Sequence, residues 1–310
     1  MLTISEKDLY KEFFATHVMV TGRCNLKCYY CYYPPRQGVE ATIEQIDFII
    51  SECENLGEPG LFYEVSGGEP MIRSDWYSVM EHFLDTGRDV VLNTNGTFID
   101  EENADELADL YRKYSDRLYL SVSLDSHDPA IHNRIRGRYT RVIAGMRHLR
   151  DREIPFRVSI TLTRHNVKTL VNTVRFVVDE LTREVMVGIL RPVFSMTEEN
   201  KASILSLEEI QAAYLKVEAL RREEGFEFYH CLGEDGQPGC LAGFDRVAVS
   251  GNGDIYPCYA LQHILLGNVF TDGLRDPLQA FRQSIKDKPE RDLLCEQPGP
   301  STINPVLELR

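Results

Sequence analysis

Three cysteines lie close together near the start of the sequence, in the segment CNLKCYYC at residues 24–31. Cys24, Cys28 and Cys31 are separated first by three residues and then by two. Three thiolates on one short loop can bind three irons of a cubane [4Fe–4S] cluster, which usually takes four cysteine ligands. Because this loop contains no fourth cysteine, the fourth iron would stay open to a ligand from outside, which is what catalysis requires.

The spacing of these cysteines also allows other interpretations, including chance. Cys28 and Cys31 have the C-x2-C spacing of a zinc site, but a second pair with that spacing is absent from the sequence. The same pair could form a thioredoxin-like redox centre, which leaves Cys24 without a role. The spacing alone therefore does not decide between a cluster, a zinc ion and a redox pair.

The composition limits the partners and the compartment. The formal net charge is -14, from 34 Lys and Arg against 48 Asp and Glu. An acidic surface of this kind disfavours nucleic acid and anionic membranes as partners. No run approaches the roughly 20 apolar residues that span a bilayer, and the N-terminal residues lack a signal-peptide pattern. We therefore expect a cytoplasmic protein, in which clustered cysteines indicate metal or redox chemistry rather than disulfides.

Short β-type runs alternate with longer helical runs over most of the chain. Strands are expected at residues 17–21, 61–66, 89–96, 117–125, 156–163 and 184–192, and helices over 42–56, 74–86 (capped by Ser74), 100–114, 139–150 and 167–181. This alternation implies parallel strands joined by crossovers, and six strands predict an open or partly closed α/β barrel. Active sites in such folds lie at the carboxyl ends of the strands, where the cysteine loop and the motifs SGGEP, NTNG and SLDS all fall.

The character of the sequence changes at about residue 225, after which Gly, Pro and Cys become more frequent. We therefore expect two parts: a barrel over residues 1–224 and a small, loop-rich extension over residues 225–310. The extension would be held together by something other than a large apolar core.

The cysteine loop resembles the C-x3-C-x-aromatic-C loop of the radical S-adenosylmethionine (radical SAM) enzymes. The match continues in order through SGGEP (66–70), NTNG (93–96) and SVSLDSHDPAIHNRIRG (121–137), and covers roughly residues 15–195. The resemblance implies an α/β fold of the partial (β/α)6 radical SAM barrel type, with Cys24, Cys28 and Cys31 binding a [4Fe–4S] cluster whose open iron is chelated by SAM. It also implies a one-electron reductant of the flavodoxin or ferredoxin type, and a 5′-deoxyadenosyl radical that abstracts hydrogen from a substrate C–H bond.

The resemblance further implies which residues bind SAM. The glycines of SGGEP allow close backbone approach, and Glu69 can accept a hydrogen bond from the SAM ammonium. Tyr30 would lie beside the adenine, and either Arg134 or Arg136 would pair with the SAM carboxylate. The cofactor-binding residues expected from the motifs are Tyr30, Gly67, Gly68, Glu69, Pro70, Asn95, Ser123, Asp125, Arg134 and Arg136.

Several of these assignments have alternatives. Asn95 belongs to an Asn-Gly pair, which is a strong turn signal, and could be a turn residue only. Asn166 and the backbone at Leu190–Arg191 are weaker candidates for contacts to the adenine. The histidines that lie near strand ends are expected to be structural or solvent-facing rather than catalytic: His127, His132 and His165.

A second group of cysteines follows in the extension. Cys240, Gly253 and Cys258 resemble the C-x(9–15)-G-x4-C pattern of the SPASM and Twitch extensions of radical SAM enzymes, which bind auxiliary iron–sulfur clusters. Only Cys295 follows Cys258, so the extension resembles the shorter Twitch type with one auxiliary [4Fe–4S] cluster. Cys240, Cys258 and Cys295 would be its ligands, and Cys231 is either a fourth ligand or a free thiol that donates hydrogen.

For the reaction we expect a small polar substrate such as a sugar, aminocyclitol or aminoglycoside. The cysteine loop begins so near the N-terminus that no leader-peptide domain would precede it, and an acidic protein could attract a cationic aminosugar. Epimerisation with the Cys231 thiol as hydrogen donor is the favoured chemistry, and dehydrogenation is the second. The alternative is a maturase that modifies a ribosomally made peptide. A non-catalytic iron–sulfur or zinc protein belongs to a different class, against which the GGEP motif argues.

Overall fold

The computed structural model describes residues 14–32, 39–191, 198–230 and 242–285. Within these residues one sheet contains ten strands, in the order β10-β9-β8-β1-β2-β3-β4-β5-β6-β7. The strands are β1 Phe14–Thr21, β2 Leu61–Gly67, β3 Val90–Thr94, β4 Leu118–Ser123, β5 Phe156–Leu162, β6 Glu184–Ile189, β7 Glu227–His230, β8 Arg246–Ser250, β9 Asp254–Tyr256 and β10 Gly267–Asn268.

The helices lie mainly between consecutive strands. In the described residues they are α1 Ile43–Leu56, α2 Trp76–Leu84, α3 Glu101–Tyr114, α4 Pro129–Ile135, α5 Tyr139–Asp151, α6 Leu170–Glu180, α7 Glu198–Lys201, α8 Leu207–Glu224, α9 Val269–Asp272 and α10 Arg275–Ile285. Two short 3₁₀ turns occupy Pro70–Ile72 and Val167–Thr169. None of these helices is long and apolar enough to cross a membrane.

Strands β8, β1 and β2 through β7 pair in parallel, whereas β9 and β10 are antiparallel. The first six strands follow one another in chain order across the sheet, as the alternation of strands and helices predicts. The sheet ends at β10 and β7 and is not closed. The expected α/β fold with an open parallel sheet is therefore confirmed.

The two faces of the sheet differ in polarity, and β5 shows this most clearly. Phe156, Val158 and Ile160 are buried in the main core, which also contains the apolar sides of the helices. Arg157 and Ser159 alternate with them and are only partly buried. Because successive side chains of a strand point to opposite faces, the polar residues form a second face away from the helices. That second face lines the cavity of the candidate active site.

The start of α2 differs from the sequence prediction, and α8 is absent from it. The prediction that Ser74 caps a helix running to residue 86 is wrong, because α2 begins at Trp76 with Asp75 as its N-cap residue. The Asp75 carboxylate accepts hydrogen bonds of 2.9 and 2.7 Å from Arg73 and makes no capping bond to the helix backbone. Helix α8 was not predicted, although Ser206 and Glu209 form a complete capping box at its start.

The sheet continues through the boundary expected between residues 224 and 225. Strand β7 pairs with β6 at one end of the parallel region, and β8 pairs with β1 at the other. Phe228 of β7 and Val247 of β8 lie in the same core cluster as the helices of the first part. A second, smaller cluster surrounds Cys258 and contains Phe281. The division into a barrel over residues 1–224 and an extension over residues 225–310 remains a prediction, and residues from both parts share one core.

Candidate active site

A cavity of about 630 Å³ lies against the polar face of the sheet. Its volume falls within the range of sites that bind cofactors and small molecules, about 300–1,000 Å³. The expected site residues that line it are Cys24, Cys28, Cys31, Tyr30, Gly67, Gly68, Glu69, Asn95, Ser123, Arg136, Leu190, Arg191 and Cys258. The expected residues that do not line it are Pro70, Asp125, Arg134 and Asn166.

The cysteine loop forms one end of this cavity. The backbone N–H of Leu26 donates to the Cys24 sulfur at 3.4 Å, and the side-chain amide of Asn95 lies 3.9 Å from the same sulfur. Burial raises the pKa of the Cys24 thiol and raises that of Cys28 to about 11. A bound metal cluster would keep these sulfurs deprotonated. Donors aimed at a buried sulfur fit a thiolate ligand of a cluster.

The two glycines of SGGEP bring the end of β2 directly against the cysteine loop. A Cβ atom on Gly68 would lie 2.2 Å from the carbonyl oxygen of Arg23 and 3.0 Å from the Cβ of Cys24. Gly67 has a φ of 137°, and a Cβ atom on it would lie 2.3 Å from the carbonyl oxygen of Thr21. The backbone N–H of Gly68 donates to Thr21 at 2.8 Å, and that of Glu69 donates to Arg23 at 2.8 Å. These contacts explain why two consecutive glycines are needed here.

Glu69 is buried at the end of β2 and is held by β3. Its carboxylate accepts hydrogen bonds from the Thr94 hydroxyl at 2.7 Å and from the backbone N–H of Asn95 at 2.7 Å. Burial raises the pKa of Glu69 to about 7 in spite of these bonds. An ammonium group beside this carboxylate would favour its charged form, which fits the role expected from the resemblance.

Asn95 belongs to a turn and also contacts the cysteine loop. Gly96, which follows it, has a φ of 75°, as an Asn-Gly turn requires. The Asn95 amide donates to the side chain of Asn25 at 3.0 Å, and its carbonyl oxygen accepts from the backbone of Thr97 at 2.9 Å. Asn95 therefore connects the end of β3 to the loop that carries Cys24.

Tyr30, Asp125 and Arg136 form a hydrogen-bonded group beside the cysteine loop. Asp125 is buried and accepts from the Tyr30 hydroxyl at 2.6 Å and from Arg136 at 2.6 Å. Tyr30 and Arg136 line the cavity, and Asp125 lies behind them. Arg134 is exposed on α4. Of the two arginines, Arg136 is therefore the one that lines the cavity.

Asn166 and the three histidines support the strand ends and do not line the cavity. The Asn166 amide donates to the carbonyl oxygens of Asp125 and Thr161, both at 2.9 Å, and so joins β4 to β5. His132 is buried, and its Nδ1 accepts from the backbone N–H of Asp125 at 3.3 Å. His127 and His165 contact Thr173 and Ser203 respectively.

The opposite end of the cavity is built from residues that the sequence analysis missed. His17 of β1 lies opposite Glu64 of β2 in the parallel register, and its Nδ1 is 2.8 Å from the Glu64 carboxylate. The other ring nitrogen of His17 contacts the Ser66 hydroxyl. Burial disfavours the Glu64 carboxylate, but His17, Arg157 and Arg246 outweigh it and lower the pKa of Glu64 to about 2.

A signal for these residues was present in the sequence. His17, Glu64 and Arg157 are polar residues at alternate positions of otherwise apolar strands. A polar residue in the middle of a buried strand indicates that the face it occupies meets something other than the apolar core.

The C-terminal part contributes Cys258 and Tyr259 to the same cavity. The Tyr259 ring stacks on His17 with centroids 4.6 Å apart and contacts Tyr32 at 4.9 Å. Tyr32 directly follows Cys31, so an aromatic group connects the first cysteine loop with the segment of Cys258. The other cysteines expected to bind the auxiliary cluster or donate hydrogen, Cys231, Cys240 and Cys295, lie outside the described residues.

Comparison with protein families agrees with this geometry. The model of the radical SAM superfamily matches residues 18–177, which is more than half of the chain. The chain belongs to the radical SAM superfamily. The model of the SPASM iron–sulfur cluster-binding domain matches residues 240–297. This radical SAM enzyme therefore uses a [4Fe–4S] cluster, SAM and an auxiliary iron–sulfur cluster, and takes electrons from a reductant.

Similar radical SAM proteins include enzymes of two kinds. The AdoMet-dependent heme synthase of Methanosarcina barkeri is 28% identical over 293 residues, covering 83% of this chain and 79% of its own length. The mycofactocin maturase MftC of Mycobacterium ulcerans is 28% identical over 275 residues, covering 82% of this chain and 71% of its own length.

Solved structures with the same fold include peptide complexes. Streptococcus suis SuiB bound to the precursor peptide SuiA has a TM-score of 0.70 at 18% identity, over 92% of this chain and 76% of SuiB. The structure of anSMEcpe with AdoMet and the Cp18Cys peptide has a TM-score of 0.70 at 16% identity, over 95% and 94% of the two chains. At these identities the likeness establishes the radical SAM fold.

Proposed function

We propose that this radical SAM enzyme modifies a peptide by abstracting hydrogen from a C–H bond of one of its residues. This proposal replaces the expected sugar or aminoglycoside substrate, and the epimerase or dehydrogenase reactions expected with it, which find no support among the relatives. The mycofactocin maturase relative and the peptide-bound neighbours SuiB and anSMEcpe all favour the peptide alternative.

The observation that carries the proposal is the lining of the cavity, which has a different chemistry at each of its two ends. The cysteine end, with Glu69 and Arg136, fits SAM. The other end, with His17, Glu64 and Arg157, would receive a polar part of the substrate and leave the reacting C–H bond towards the cysteine end. The whole volume of about 630 Å³ is that of a site for one cofactor-sized ligand. Once SAM is bound, the remainder suits a single side chain of a longer peptide better than a tetrapyrrole.

In this mechanism the residues of the chain position SAM and the substrate and keep water away from them. When bound, the cluster and SAM together supply a radical able to abstract hydrogen from an unactivated C–H bond. Glu69 and Arg136 would hold the charged ends of the amino acid part of SAM, and Tyr30 would lie beside its adenine. Tyr32 and Tyr259, whose ring centroids lie 4.9 Å apart, would shield the space beside the cysteine loop from water. The orientation of the substrate then decides which C–H bond reacts.

The experiment that tests the proposal measures hydrogen transfer from a peptide. The anaerobically reconstituted enzyme is incubated with SAM, dithionite and a library of short randomised peptides carrying deuterium on carbon, and the deoxyadenosine is analysed by mass spectrometry. We expect peptide-dependent formation of deuterated deoxyadenosine, which the Cys28→Ala variant does not form. Parallel incubations contain iron coproporphyrin III or an aminoglycoside. Stimulation by either of these compounds, without deuterium transfer from any peptide, would show that the proposal is wrong.

A further inference from the structure

At the end of the cavity opposite the cysteine loop, the acidic residues have basic partners, but one arginine has no direct acidic partner among the described residues. Glu64 is bonded to His17 at 2.8 Å, and Asp245 binds Arg246 through two hydrogen bonds of 3.0 Å. Each carboxylate that lines this end thus has a basic partner. Arg157 also lines the cavity, but it makes no hydrogen bond or ion pair within 4.0 Å of another residue in the part of the chain that the structure describes.

Two carboxylates lie near Arg157 without pairing with it. Its charge helps to lower the pKa of Glu64, whose direct partner is His17. Burial raises the pKa of Glu184 at the start of β6, and the charge of Arg157 opposes that increase. Neither carboxylate comes within ion-pair distance of the guanidinium. A partly buried guanidinium without a direct partner is unfavourable unless another group satisfies it.

The strands around Arg157 add further donors. Ser121 of β4 lies opposite Arg157 in the parallel register, and Ser159 follows two positions later on β5, on the same face. Both serines line the cavity. A guanidinium beside two hydroxyl groups suits a planar anion, because the fork of N–H groups matches the two oxygens of a carboxylate.

We propose that Arg157 binds a carboxylate of the substrate and thereby selects an acidic one. This inference rests on the proposed peptide function. In a peptide substrate, the carboxylate that Arg157 binds is the side chain of Asp or Glu, or the C-terminus. Porphyrins with propionate side chains carry the same group. Arg157 would then orient the substrate from the far end of the cavity, while the cofactor reacts at the cysteine end.

The test measures binding rather than turnover. The holoenzyme with SAM, but without reductant, is placed in equilibrium dialysis against randomised peptide pools that contain one Glu or, in the matched pool, one Gln. Each pool is made with a free and with an amidated C-terminus, which separates a side-chain carboxylate from the terminal one. Iron coproporphyrin III and its tetramethyl ester form the corresponding porphyrin pair.

We expect each preferred carboxylate probe to bind at least about tenfold more tightly than its neutral counterpart, a difference of about 1.4 kcal/mol. The preference should disappear in Arg157→Gln and return in part in Arg157→Lys, which keeps the charge but not the fork. Arg141 is an exposed arginine on α5, and Arg141→Gln should keep the full preference. The iron content and circular dichroism of each variant report whether it has folded and kept its clusters.

The outcomes separate this inference from the proposed function. Binding of the porphyrin but not of its ester, without binding of any peptide, supports the role of Arg157 and argues against a peptide substrate. Peptides that bind equally with Glu or Gln, and equally with a free or an amidated C-terminus, support a peptide substrate and overturn the role of Arg157. An enzyme that binds no carboxylate probe more tightly than its neutral counterpart, or an Arg157→Gln variant that keeps the preference, overturns the inference whatever the substrate is.

Discussion

At the scale of single residues, the site depends on small side chains as much as on reactive ones. Gly68 has no side chain, and this allows the backbone after β2 to lie against Arg23 and Cys24. Glu69, the next residue, accepts hydrogen bonds from Thr94 and from the turn at Asn95, so the same short segment contacts both the cysteine loop and β3. The motif SGGEP therefore acts as a spacer that sets the distance between the cysteine loop and β3.

The substitution Gly68→Ala should disrupt the first cluster. The new Cβ would lie 2.2 Å from a backbone oxygen, so the cysteine loop must move away from the end of β2. We expect the iron content per chain to fall towards about half of the wild-type value, since the auxiliary cluster has its own ligands. Iron analysis after anaerobic reconstitution checks this.

Gly188→Ala is the matched control, because its nearest neighbour would be the Ile160 carbonyl oxygen at 4.0 Å. The control should keep the wild-type iron content. Wild-type iron content in Gly68→Ala would contradict the spacer role.

A second residue-scale prediction concerns pH. Burial lowers the pKa of His132 to about 4, from an ordinary value of 6.5. Above pH 6.5 both the folded and the unfolded chain hold the neutral imidazole. Below pH 6.5 the imidazole of His132 is protonated in the unfolded chain but stays neutral in the folded chain. The free energy of unfolding therefore falls as the pH falls from 6.5 towards 4. The expected loss between pH 7 and pH 5 is about 2 kcal/mol.

Urea unfolding of the wild type and of His132→Asn measures this loss. Asn can place an acceptor near the position of Nδ1, which bonds to the Asp125 backbone, and it does not titrate. The difference in unfolding free energy between the two proteins should therefore shift by about 2 kcal/mol over this pH range. If this difference does not change with pH, the pKa of His132 is not lowered in the folded chain.

The sequence predicted the residues of the site unevenly. Cys24, Glu69 and Arg136 belong to continuous motifs, and each lines the cavity. His17 and Arg157 come from the middle of strands, and only the register of distant strands brings them to the same cavity. No single segment could show that they meet.

At the scale of elements, the approach of α5 to the turn after β3 determines where Asn95 lies. Gly145 of α5 faces Gly96 and Ile99, and a Cβ there would be 2.6 Å from the Gly96 carbonyl oxygen. Asn95 in this turn donates a hydrogen bond to Asn25 in the cysteine loop. A helix on the outside of the sheet thus supports the loop that carries the first cluster.

Gly145→Ala should destabilise the protein although Ala is the better helix former. Helix propensity favours Ala by about 1 kcal/mol, but overpacking against the backbone of the turn costs about 1–3 kcal/mol. We expect a net loss in the free energy of unfolding, measured by chemical denaturation. Ala144→Gly, at an exposed position of the same helix, should lose about 1 kcal/mol through propensity alone. A stabilised Gly145→Ala variant would mean that α5 can move away from the turn without cost.

The sequence predicted most of the helices and strands of the first part, because their apolar residues repeat with a clear period. It missed α4 and α8, and it placed the start of α2 too early. The Asp75 carboxylate accepts hydrogen bonds from Arg73 and not from the backbone N–H groups of the helix. The capping box of Ser206 and Glu209 was a readable signal for α8.

At the scale of the whole molecule, the last third of the chain completes the first part. Strand β7 covers the edge of β6 and β8 covers the edge of β1, so both ends of the six-strand array are paired by later segments. The pairing of β1 with β8 joins residues more than 200 positions apart, which local patterns in the sequence cannot reveal. The expected change of character at residue 225 marks a change in composition and not the end of the sheet.

The fragment of residues 1–224 should therefore fail to fold as an independent unit. Without the later strands, β1 and β6 become bare edges, and unpaired edges promote aggregation. The core would also lose Phe228, Val247 and Leu274, which are buried against the first part. We expect the fragment to be aggregated in size-exclusion chromatography and to unfold without a cooperative transition. A longer fragment, residues 1–285, keeps every described strand and should be monomeric or discretely oligomeric. If residues 1–224 instead gave a soluble species with a cooperative transition and its first cluster intact, the barrel would be a self-sufficient domain, and the shared core would be dispensable for folding.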